Sequence, residues 1–306
     1  MLKVRNYKQD LLYDLKVSNV NSVEIKKLKK GEKPSIMSDT MFKTMFFHTN
    51  RLKYSAKLLS YYLDISYEEL LSSIVLTKNE LDKEKENSKG ERSDYVAIFD
   101  NTRINIEVNN NSSLEVMERN MEYAHRLYAE KVKVSSTYSY NQVIQLNLNN
   151  FSFEGNDKIV DIYSVQNKEG LVLNNKLIFI QIYIPNLRRK WYTLGIENLD
   201  ESERYLLALV EPSIEFSKEL GGSIKIMEEY IEEADEVIKD VGFGESYDKE
   251  WALQDEAERR GREEGLTQGR EEQNLENAKK MKEKGFDKKV ISEITGLTIE
   301  EIERIS

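Results

Sequence analysis

The stretch "ERSDYVAIFDNTRINIEVNNN", which runs from Glu91 to Asn111, decides the fold. Two apolar runs flank a short polar segment, and this pattern is typical of paired β-strands. Each run nevertheless carries an acid where a hydrophobic side chain would pack better: Asp94 in the first and Glu107 in the second. The stretch therefore predicts a β-hairpin that holds a pair of carboxylates.

The turn of this hairpin fixes which side chains share a face. With residues 101–102 as the loop, Asp94 is expected to face Asn109 across the ladder. Val96 then faces Glu107, and the two acids become diagonal neighbours on one face. Diagonal Cβ atoms lie roughly 7 Å apart, so the two carboxylates can converge on one hard cation. A register shift of one residue would separate them.

Spacing alone leaves two interpretations of the acids open. In the first, the pair holds a magnesium ion. In the second, one acid pairs with a nearby Arg or Lys while the other lies on a solvated edge. Two acids on a hairpin are common, so the choice needs information beyond spacing.

The composition limits the classes of site and partner. The chain has 306 residues and a formal net charge of -10, which excludes a surface that is basic all over and makes any nucleic-acid contact local. The absence of cysteine excludes a disulfide scaffold and a cysteine zinc site, and two histidines, His48 and His125, argue against a multi-histidine metal centre. No apolar run could cross a bilayer, so we expect a soluble, cytoplasmic protein without a membrane partner.

The rest of the chain predicts an α/β fold with a mixed central sheet, flanking helices and a helical C-terminal region. Helical spacing begins at "SDTMFKTMFFHTNRLKYSAKLLSYYL", with Ser38 or Asp39 as the N-cap, and returns in "SLEVMERNMEYAHRLYAEKV". Alternation predicts strands in "YNQVIQLNLNNF", "KIVDIYSVQN" and "NKLIFIQIYIP". We divide the chain into a polar N-terminal extension, a main domain, helices that pack on the core, and a charged helix with a small helix-turn-helix-like tail. Their bounds are 1–35, 36–195, 196–245 and 246–306.

The order of helix, Asp-bearing strand, Glu-bearing strand and helix resembles the restriction-endonuclease-like fold of PD-(D/E)XK nucleases. More narrowly, the chain resembles the Rpn family of recombination-promoting nucleases and transposase-like proteins. The resemblance is carried, in chain order, by "SDTMFKTMF", "ERSDYVAIFDNTRINIEVN", "ERNMEYAHRLYAEKV", "GREEGLTQGREE" and "GFDKKVISEITGLTIEEIERI". Each motif is short, and their common order makes the match specific.

The resemblance implies a metal site and an activity. Asp94 and Glu107 would bind the metal, with the backbone carbonyl of Val108 as a further ligand, and Asp39 would match the family's leading acid. The expected ion is Mg²⁺, with Mn²⁺ as an alternative. In similar nucleases the metal polarises a phosphodiester and lowers the pKa of an attacking water, so the implied activity is endonucleolytic cleavage of DNA.

The position two residues after Glu107 departs from the family pattern. The family carries Lys or Gln there, whereas this chain carries Asn109. Asparagine is uncharged and about one methylene shorter than glutamine, and misplacing a catalytic group by about 1 Å can cost roughly a hundredfold in rate. Either Asn109 holds the water through its amide, or a cation of the next helix replaces it, with Arg119, Arg126 and Lys131 as candidates.

Asp39 and two basic stretches also carry alternative interpretations. An N-cap explains Asp39 without catalysis, and Lys43 lies four residues on as an ion-pair partner. The stretches "KKLKK" at 26–30 and "LRRKWY" at 187–192 are candidate phosphate contacts or solvated faces, and the second is expected to end a strand.

The C-terminal region predicts protein contacts more than base reading. Glycines at 261, 265 and 269 place a small residue on one helix face every turn, which permits a homodimer through the C-terminal helices. The last segment predicts a helix, a "TGL" turn and a second helix around a small core of isoleucines and Leu297. Its second helix, "TIEEIERI", is mostly acidic, which favours an interaction module.

Two functions therefore remain in view. The first is a Mg²⁺-dependent DNA endonuclease of the recombination-promoting or transposase-like type, with Asp94, Glu107, Asn109 and Asp39 at its site. The second is a nuclease-fold protein that has lost turnover and acts as a DNA-binding or protein-interaction module.

Overall fold

The computed structural model describes residues 16–77, 96–110, 112, 114–129, 132–134, 137–139, 142–167 and 169–305. The chain divides into two compact units, the first ending at Asp248 and the second beginning at Lys249. The finer division of the chain that we expect from the sequence stays a prediction.

The described residues form strands mainly in the first two thirds of the chain and helices throughout. In chain order, the strands are β1 (Val17–Ser18), β2 (Val75–Thr77), β3 (Val96–Phe99), β4 (Thr102–Asn109), β5 (Val132–Val134), β6 (Thr137–Ser139), β7 (Gln142–Asn149), β8 (Ser152–Phe153), β9 (Val160–Gln166) and β10 (Val172–Tyr183). The helices are α1 (Asp39–Phe46), α2 (Leu52–Tyr62), α3 (Tyr67–Ser73), α4 (Leu114–Ala129), α5 (Ile184–Leu194), α6 (Glu201–Val210), α7 (Ile214–Gly221), α8 (Lys225–Ile238), α9 (Val241–Glu283), α10 (Lys288–Thr295) and α11 (Ile299–Arg304).

A mixed sheet of six strands forms the centre of the first unit, in the order β2-β3-β4-β7-β10-β9. The central strands β4, β7 and β10 run parallel, and the outer pairs are antiparallel. Parallel neighbours need a long crossover, and α4 lies in the connection from β4 to β7. The expected α/β fold with a mixed sheet and flanking helices is confirmed.

The turn between β3 and β4 differs from the turn that we expect from the sequence. Phe99 pairs with Thr102 and Val96 with Asn105, so Asp100 and Asn101 form the loop. The expected pairing of Val96 with Glu107 is therefore wrong. Asp100 adopts a left-handed φ of 49°, which Asp tolerates better than most residues, and this local preference moves the turn.

The two faces of the central strands differ in chemistry. Beyond the first residues of each strand, the even-numbered residues of β4, β7 and β10 are hydrophobic and pack into the main core with α1, α2, α6 and α8. They are Ile104, Ile106, Val108, Ile144, Leu146, Leu148, Ile178, Ile180 and Ile182. Odd-numbered residues face α4, and many of them are amides. Strand partners in register, such as Glu107 opposite Asn147, carry this polar face from one strand to the next. The main core thus fixes which side chains must lie on the α4 face.

Helix α4 covers the polar face. Met117, Asn120, Ala124 and Leu127 are buried, whereas Met121, which recurs at helical spacing with Met117 and Ala124, is 50% exposed. The helix is confirmed, but its inner face is built around an asparagine.

The helical stretch that follows Ser38 forms two helices. Helices α1 and α2 are separated by a short 3₁₀ turn at Thr49–Arg51, where His48 Nδ1 accepts a hydrogen bond from Asn50 N. His48 is exposed and caps this turn, so it lies at the break between the helices.

A buried cluster of charges ties the segment before α1 to the helices behind it. Lys33 is 1% exposed, and its Nζ donates to Leu209 O at 3.2 Å and Glu211 O at 2.9 Å. Burial lowers the pKa of Lys33 to about 7, and the nearby Glu211 carboxylate opposes that shift. Arg188 Nε lies 2.7 Å from Glu211 Oε1, while burial raises the pKa of Glu211. Part of the expected polar extension is therefore buried structure.

The basic stretch at 187–192 lies on helix α5, so the expected strand end is wrong. Pro185 lies in the first turn of this helix, which suits the fixed φ of proline. Three of its cations are engaged by carboxylates of the same unit. The pairs are Arg188–Glu211 at 2.7 Å, Arg189–Asp157 at 2.8 Å and Lys190–Glu203 at 2.7 Å.

The second unit contains its own small core. Ala278, Ile291 and Ile302 are buried, and Leu297 packs against them, which confirms the predicted cluster. Gly296 ends α10 with a left-handed φ of 72°, and its N–H donates to Ser292 O. Among described atoms, nothing lies within 4 Å of a Cβ built at Gly261, Gly265 or Gly269, so association through this face stays a prediction. Within the described ranges no helix combines the length and apolar character that a membrane span requires.

Candidate active site

Glu107 lies near the end of β4, on the sheet face that α4 covers. Its side chain is half-buried, and its partner on the neighbouring parallel strand is Asn147. Asn105 Nδ2 donates to Glu107 Oε1 at 3.2 Å and to Gln145 Oε1 at 2.9 Å. Because the Asn105 amide is fully buried and its Nδ2 also donates to Gln145, it restricts the orientation of the Glu107 carboxylate.

Amide side chains form two rows across this face, which we call the amide face. The first row runs from Asn105 to Gln145 and on to Asn147, whose Oδ1 accepts from Gln145 Nε2 at 2.8 Å. The second row runs from Asn109 through Asn149 to Gln181, with 2.9 Å at both steps. Asn120 of α4 joins the rows, because its Nδ2 donates to Asn109 Oδ1 at 3.1 Å and to Asn147 Oδ1 at 3.2 Å. Buried polar groups are tolerated when they are hydrogen-bonded, and these rows largely meet that condition.

Asn109, the residue that departs from the family pattern, is part of this network. It is 2% exposed, donates to Asn149 and accepts from Asn120. A lysine at this position would bring a charge among neutral buried amides, which is costly without a counter-charge. The neutral Asn109 side chain therefore suits the neutral amides that surround it.

The second predicted metal ligand, Asp94, lies outside the described residues, so the separation of the two acids stays a prediction. In the part of the chain that the structure describes, no group of three or more His, Cys, Asp or Glu side chains could hold a metal ion. The side chain of Val108 packs against the main core on the opposite face. Glu107 supplies a carboxylate, which is the ligand type that Mg²⁺ prefers. The described donor set thus fits one part of the expected site.

Asp39 is the first residue of α1, and Ser38 is the N-cap. Ser38 Oγ accepts from Met41 N at 3.2 Å, so the cap interpretation of Asp39 is wrong. Lys43 Nζ lies 2.7 Å from Asp39 Oδ2, which confirms the predicted ion pair. Asn110 Nδ2 donates to Met37 O, which anchors the start of α1 beside the end of β4. Asp39 therefore lies two residues after Met37, which contacts the end of the strand that carries Glu107.

The basic residues that were considered as substitutes for a Lys or Gln at position 109 differ in their surroundings. Arg119 and Arg126 are exposed on α4, and Arg126 pairs with Glu122 one turn away. Lys131 lies outside the described residues. Arg103 shares the face of Glu107, and burial lowers the pKa of its guanidinium. It lies four residues before Glu107 on the strand, which is about 13 Å, so it does not replace a cation at position 109.

The amide face contains residues that sequence reasoning missed. Gln145, Asn147 and Asn149 alternate with Ile144, Leu146 and Leu148 in β7, and all six are buried. Amides at every second position of a strand that is otherwise hydrophobic are the signal that could have revealed a polar inner face. Asn120 gave no such signal, because one amide on a helix resembles a surface residue.

A comparison of the sequence with models of protein families identifies the family of the chain. A family model described as "PD-(D/E)XK nuclease family transposase" matches residues 36–256, which include the whole six-stranded sheet, α4 and Glu107. No curated protein and no solved structure matches the chain. The family supports a nuclease-like function, for which DNA is the natural partner, and nucleases of this superfamily generally use divalent metals. On the match over most of its length, and on a mixed sheet of the corresponding kind, the chain belongs to the PD-(D/E)XK nuclease family transposases.

Proposed function

We propose that this protein is a Mg²⁺-dependent DNA endonuclease in which Asp94 and Glu107 bind the metal. The observation that carries the proposal is the Glu107 carboxylate, which accepts a hydrogen bond from the buried Asn105 amide on the sheet face that α4 covers. The half-buried Glu107 carboxylate loses part of its hydration on this face, and a bound cation would compensate for that loss.

The observed register supports pairing of the two acids. Val96 pairs with Asn105, and two residues further along both strands the same register would set Asp94 directly opposite Glu107. A shift of two residues preserves the face on which each side chain lies, so the corrected turn does not separate the acids. Directly opposite Cβ atoms lie about 5 Å apart, which is closer than the diagonal arrangement expected from the sequence.

A divalent ion in this place would polarise the scissile phosphate and acidify a bound water. The protein's own residues would orient the reactants. Asn105 holds one oxygen of Glu107. Asn109 keeps a second amide N–H beyond the one donated to Asn149, and we assign that group to the attacking water. Val108 would add its carbonyl, and Asp39 would stand at the entrance of the site.

A cleavage assay with matched variants tests this assignment. Purified full-length protein should nick plasmid DNA with Mg²⁺ or Mn²⁺, and Asp94→Asn or Glu107→Gln should abolish nicking. Glu107→Gln is a suitable change because its side-chain carbonyl can still accept from Asn105. Asp100→Asn is the control, since it removes an exposed carboxylate from the same hairpin and Asn tolerates its left-handed φ.

Titration of Mn²⁺ by calorimetry supplies the second readout. Binding should be lost in both acid variants and kept in Asp100→Asn. Cutting and metal binding that survive in Glu107→Gln would overturn the assignment.

One observation favours a second candidate, a nuclease-fold protein without turnover that binds DNA or another protein. Asn109 uses its carbonyl and one N–H within the amide network, so less of it is left for catalysis than a Lys or Gln would offer. This candidate predicts DNA binding without nicking in either metal. If Asn109→Gln then restores nicking, the defect lies at this position.

A further inference from the structure

A cavity of about 440 Å³ lies beside the amide face, between α4 and strands β9 and β10. Aromatic side chains line it: Phe153, Tyr163, Phe179 and Tyr183. Asn120 and Asn147 line it as well, and each is 1% exposed. The cavity therefore combines aromatic surfaces with buried amides, which is the usual composition of a site for a small planar ligand.

The two asparagines each keep one polar atom without a partner among the described residues: Asn120 Oδ1 and Asn147 Nδ2. Their orientations are fixed by the other atom of each amide. Asn147 Oδ1 accepts from both Asn120 and Gln145, and Asn120 Nδ2 donates to two oxygens, so turning either amide would break two hydrogen bonds. One acceptor and one donor are thus left over on two buried asparagines that are hydrogen-bonded to each other through their other amide atoms. Unmet buried polar atoms are costly and rare, which points to a ligand.

The lining also tells which ligands do not fit. Among the described residues, no Lys, Arg, Asp or Glu side chain lines the cavity, so no permanently charged group would neutralise a phosphate or a carboxylate there. The one basic ring in the described lining, His125, has its Nδ1 2.6 Å from Met121 O. The aromatic walls suit a flat ring, and the leftover acceptor and donor suit a ring edge that carries a donor beside an acceptor. Every nucleobase has such a Watson–Crick edge, and nucleobases stack on aromatic side chains in proteins that bind unpaired strands.

The cavity begins next to the proposed catalytic acid. Asn147 is the cross-strand partner of Glu107, and neighbouring strands lie about 5 Å apart. The amides Asn105 and Gln145 connect the Glu107 carboxylate to Asn147 by hydrogen bonds. A base held in the cavity would therefore keep its own phosphodiester near Glu107.

We propose that this cavity binds one unpaired, extruded nucleobase of the DNA, with Asn120 and Asn147 contacting its edge and Tyr163 stacking on its face. The proposal rests on the proposed nuclease function for its substrate class. It assigns the enzyme a preference for DNA that contains an unpaired base, such as a bulge.

The test uses 2-aminopurine, a fluorescent base that is quenched by stacking, and the full-length protein without divalent metal. In the first arm, 2-aminopurine deoxynucleoside is titrated alone, and the four natural deoxynucleosides compete with it. In the second arm, affinity is measured for two duplexes of about 20 base pairs, one with a single bulged 2-aminopurine and one fully paired. We expect quenching in the first arm and about tenfold tighter binding of the bulged duplex, equal to about 1.4 kcal/mol.

Two variants and a control locate the effect. Tyr163→Ala should remove the tenfold preference without disturbing the core, because Tyr163 is 51% exposed. Asn147→Asp keeps the oxygen that Asn120 and Gln145 use and replaces the leftover donor by an acceptor, so it should also remove the preference. Phe216→Ala, which removes a 46% exposed aromatic side chain on α7 that does not line the cavity, should retain it.

The outcomes separate this proposal from the nuclease proposal. Absence of quenching together with equal affinity for both duplexes would mean that the cavity holds only water, which overturns the inference even if plasmid is nicked. A preference that survives in Tyr163→Ala would also overturn it. Quenching and bulge preference in a protein that neither nicks DNA nor binds Mn²⁺ would sustain the nucleobase site and refute the nuclease.

Discussion

Replacing Lys33 by Met should flatten the pH dependence of the free energy of unfolding between pH 7.5 and 9. Burial lowers the pKa of Lys33 to about 7 in the folded protein, whereas an unfolded lysine has its ordinary value of 10.5. Between these values the unfolded chain binds one more proton, so the free energy of unfolding rises with pH. The cost of burying the charge is fully present below pH 7 and is relieved as pH rises through the window.

The expected size follows from the linkage relation. One pH unit within the window contributes about 1.4 kcal/mol, so the wild-type protein should gain about 2 kcal/mol between pH 7.5 and 9 relative to Lys33→Met. The substitution should not unfold the protein, because both carbonyl oxygens keep a second donor. Leu209 O accepts from Ile36 N at 3.3 Å, and Glu211 O accepts from Ser217 Oγ at 3.2 Å. Buried charges can often be replaced by apolar groups of similar volume at little cost.

Urea unfolding at several pH values measures this difference. Trp191 lies in the first unit and Trp251 in the second, so both proteins should carry Trp251→Phe, which leaves Trp191 as the reporter of the unit that contains Lys33. Lys225→Met, which removes an exposed lysine, is the matched control and should keep the wild-type slope. A Lys33→Met protein whose unfolding free energy rises with pH as steeply as the wild type would refute the reasoning.

Three further predictions concern stability. Asn109→Leu should lower the free energy of unfolding in urea titrations by about 1–3 kcal/mol, because Asn149 Oδ1 loses its donor. The double variant with Asn149→Leu should lose less than the sum of the two single losses, and strict additivity would argue against the network. Ser38→Ala should cost about 1 kcal/mol in the same titrations, and an unchanged midpoint would show that the α1 cap contributes nothing. Gly296→Ala should cost about 1–2 kcal/mol for its left-handed φ, seen as faster hydrogen exchange in α10 and α11, whereas unchanged exchange rates would contradict the strain.

The fold was largely predictable from the sequence because its strands and helices carry clear periods. Alternation in "YNQVIQLNLNNF" and the helical spacing after residue 114 both correspond to observed elements. The exact residues of the hairpin turn were not predictable, since both 100–101 and 101–102 are polar pairs that could form the loop. One local φ, at Asp100, decides between them.

The candidate site was predictable only in part. The position of Glu107 on a strand of the central sheet follows from the pattern, but its neighbours come from other strands and from α4. Asn120 and Asn147 meet across many residues of sequence, and only the parallel register and the packing of α4 bring them together. Lys33 was equally hidden, because a lysine in a polar stretch gives no sign that the fold will bury it.

The amide hydrogen bonds that join one strand to the next on this face are all donated in the same direction, from β4 to β7 and from β7 to β10. Chemical ageing by deamidation, which turns an amide into an acid, would therefore have unequal effects along a row. At Gln181, where the row ends on an accepting oxygen, the new acid could still receive the hydrogen bond. At Asn149 the same conversion would remove the N–H that passes the chain onward, so one damaged atom in the middle would disconnect the end of the row from its beginning.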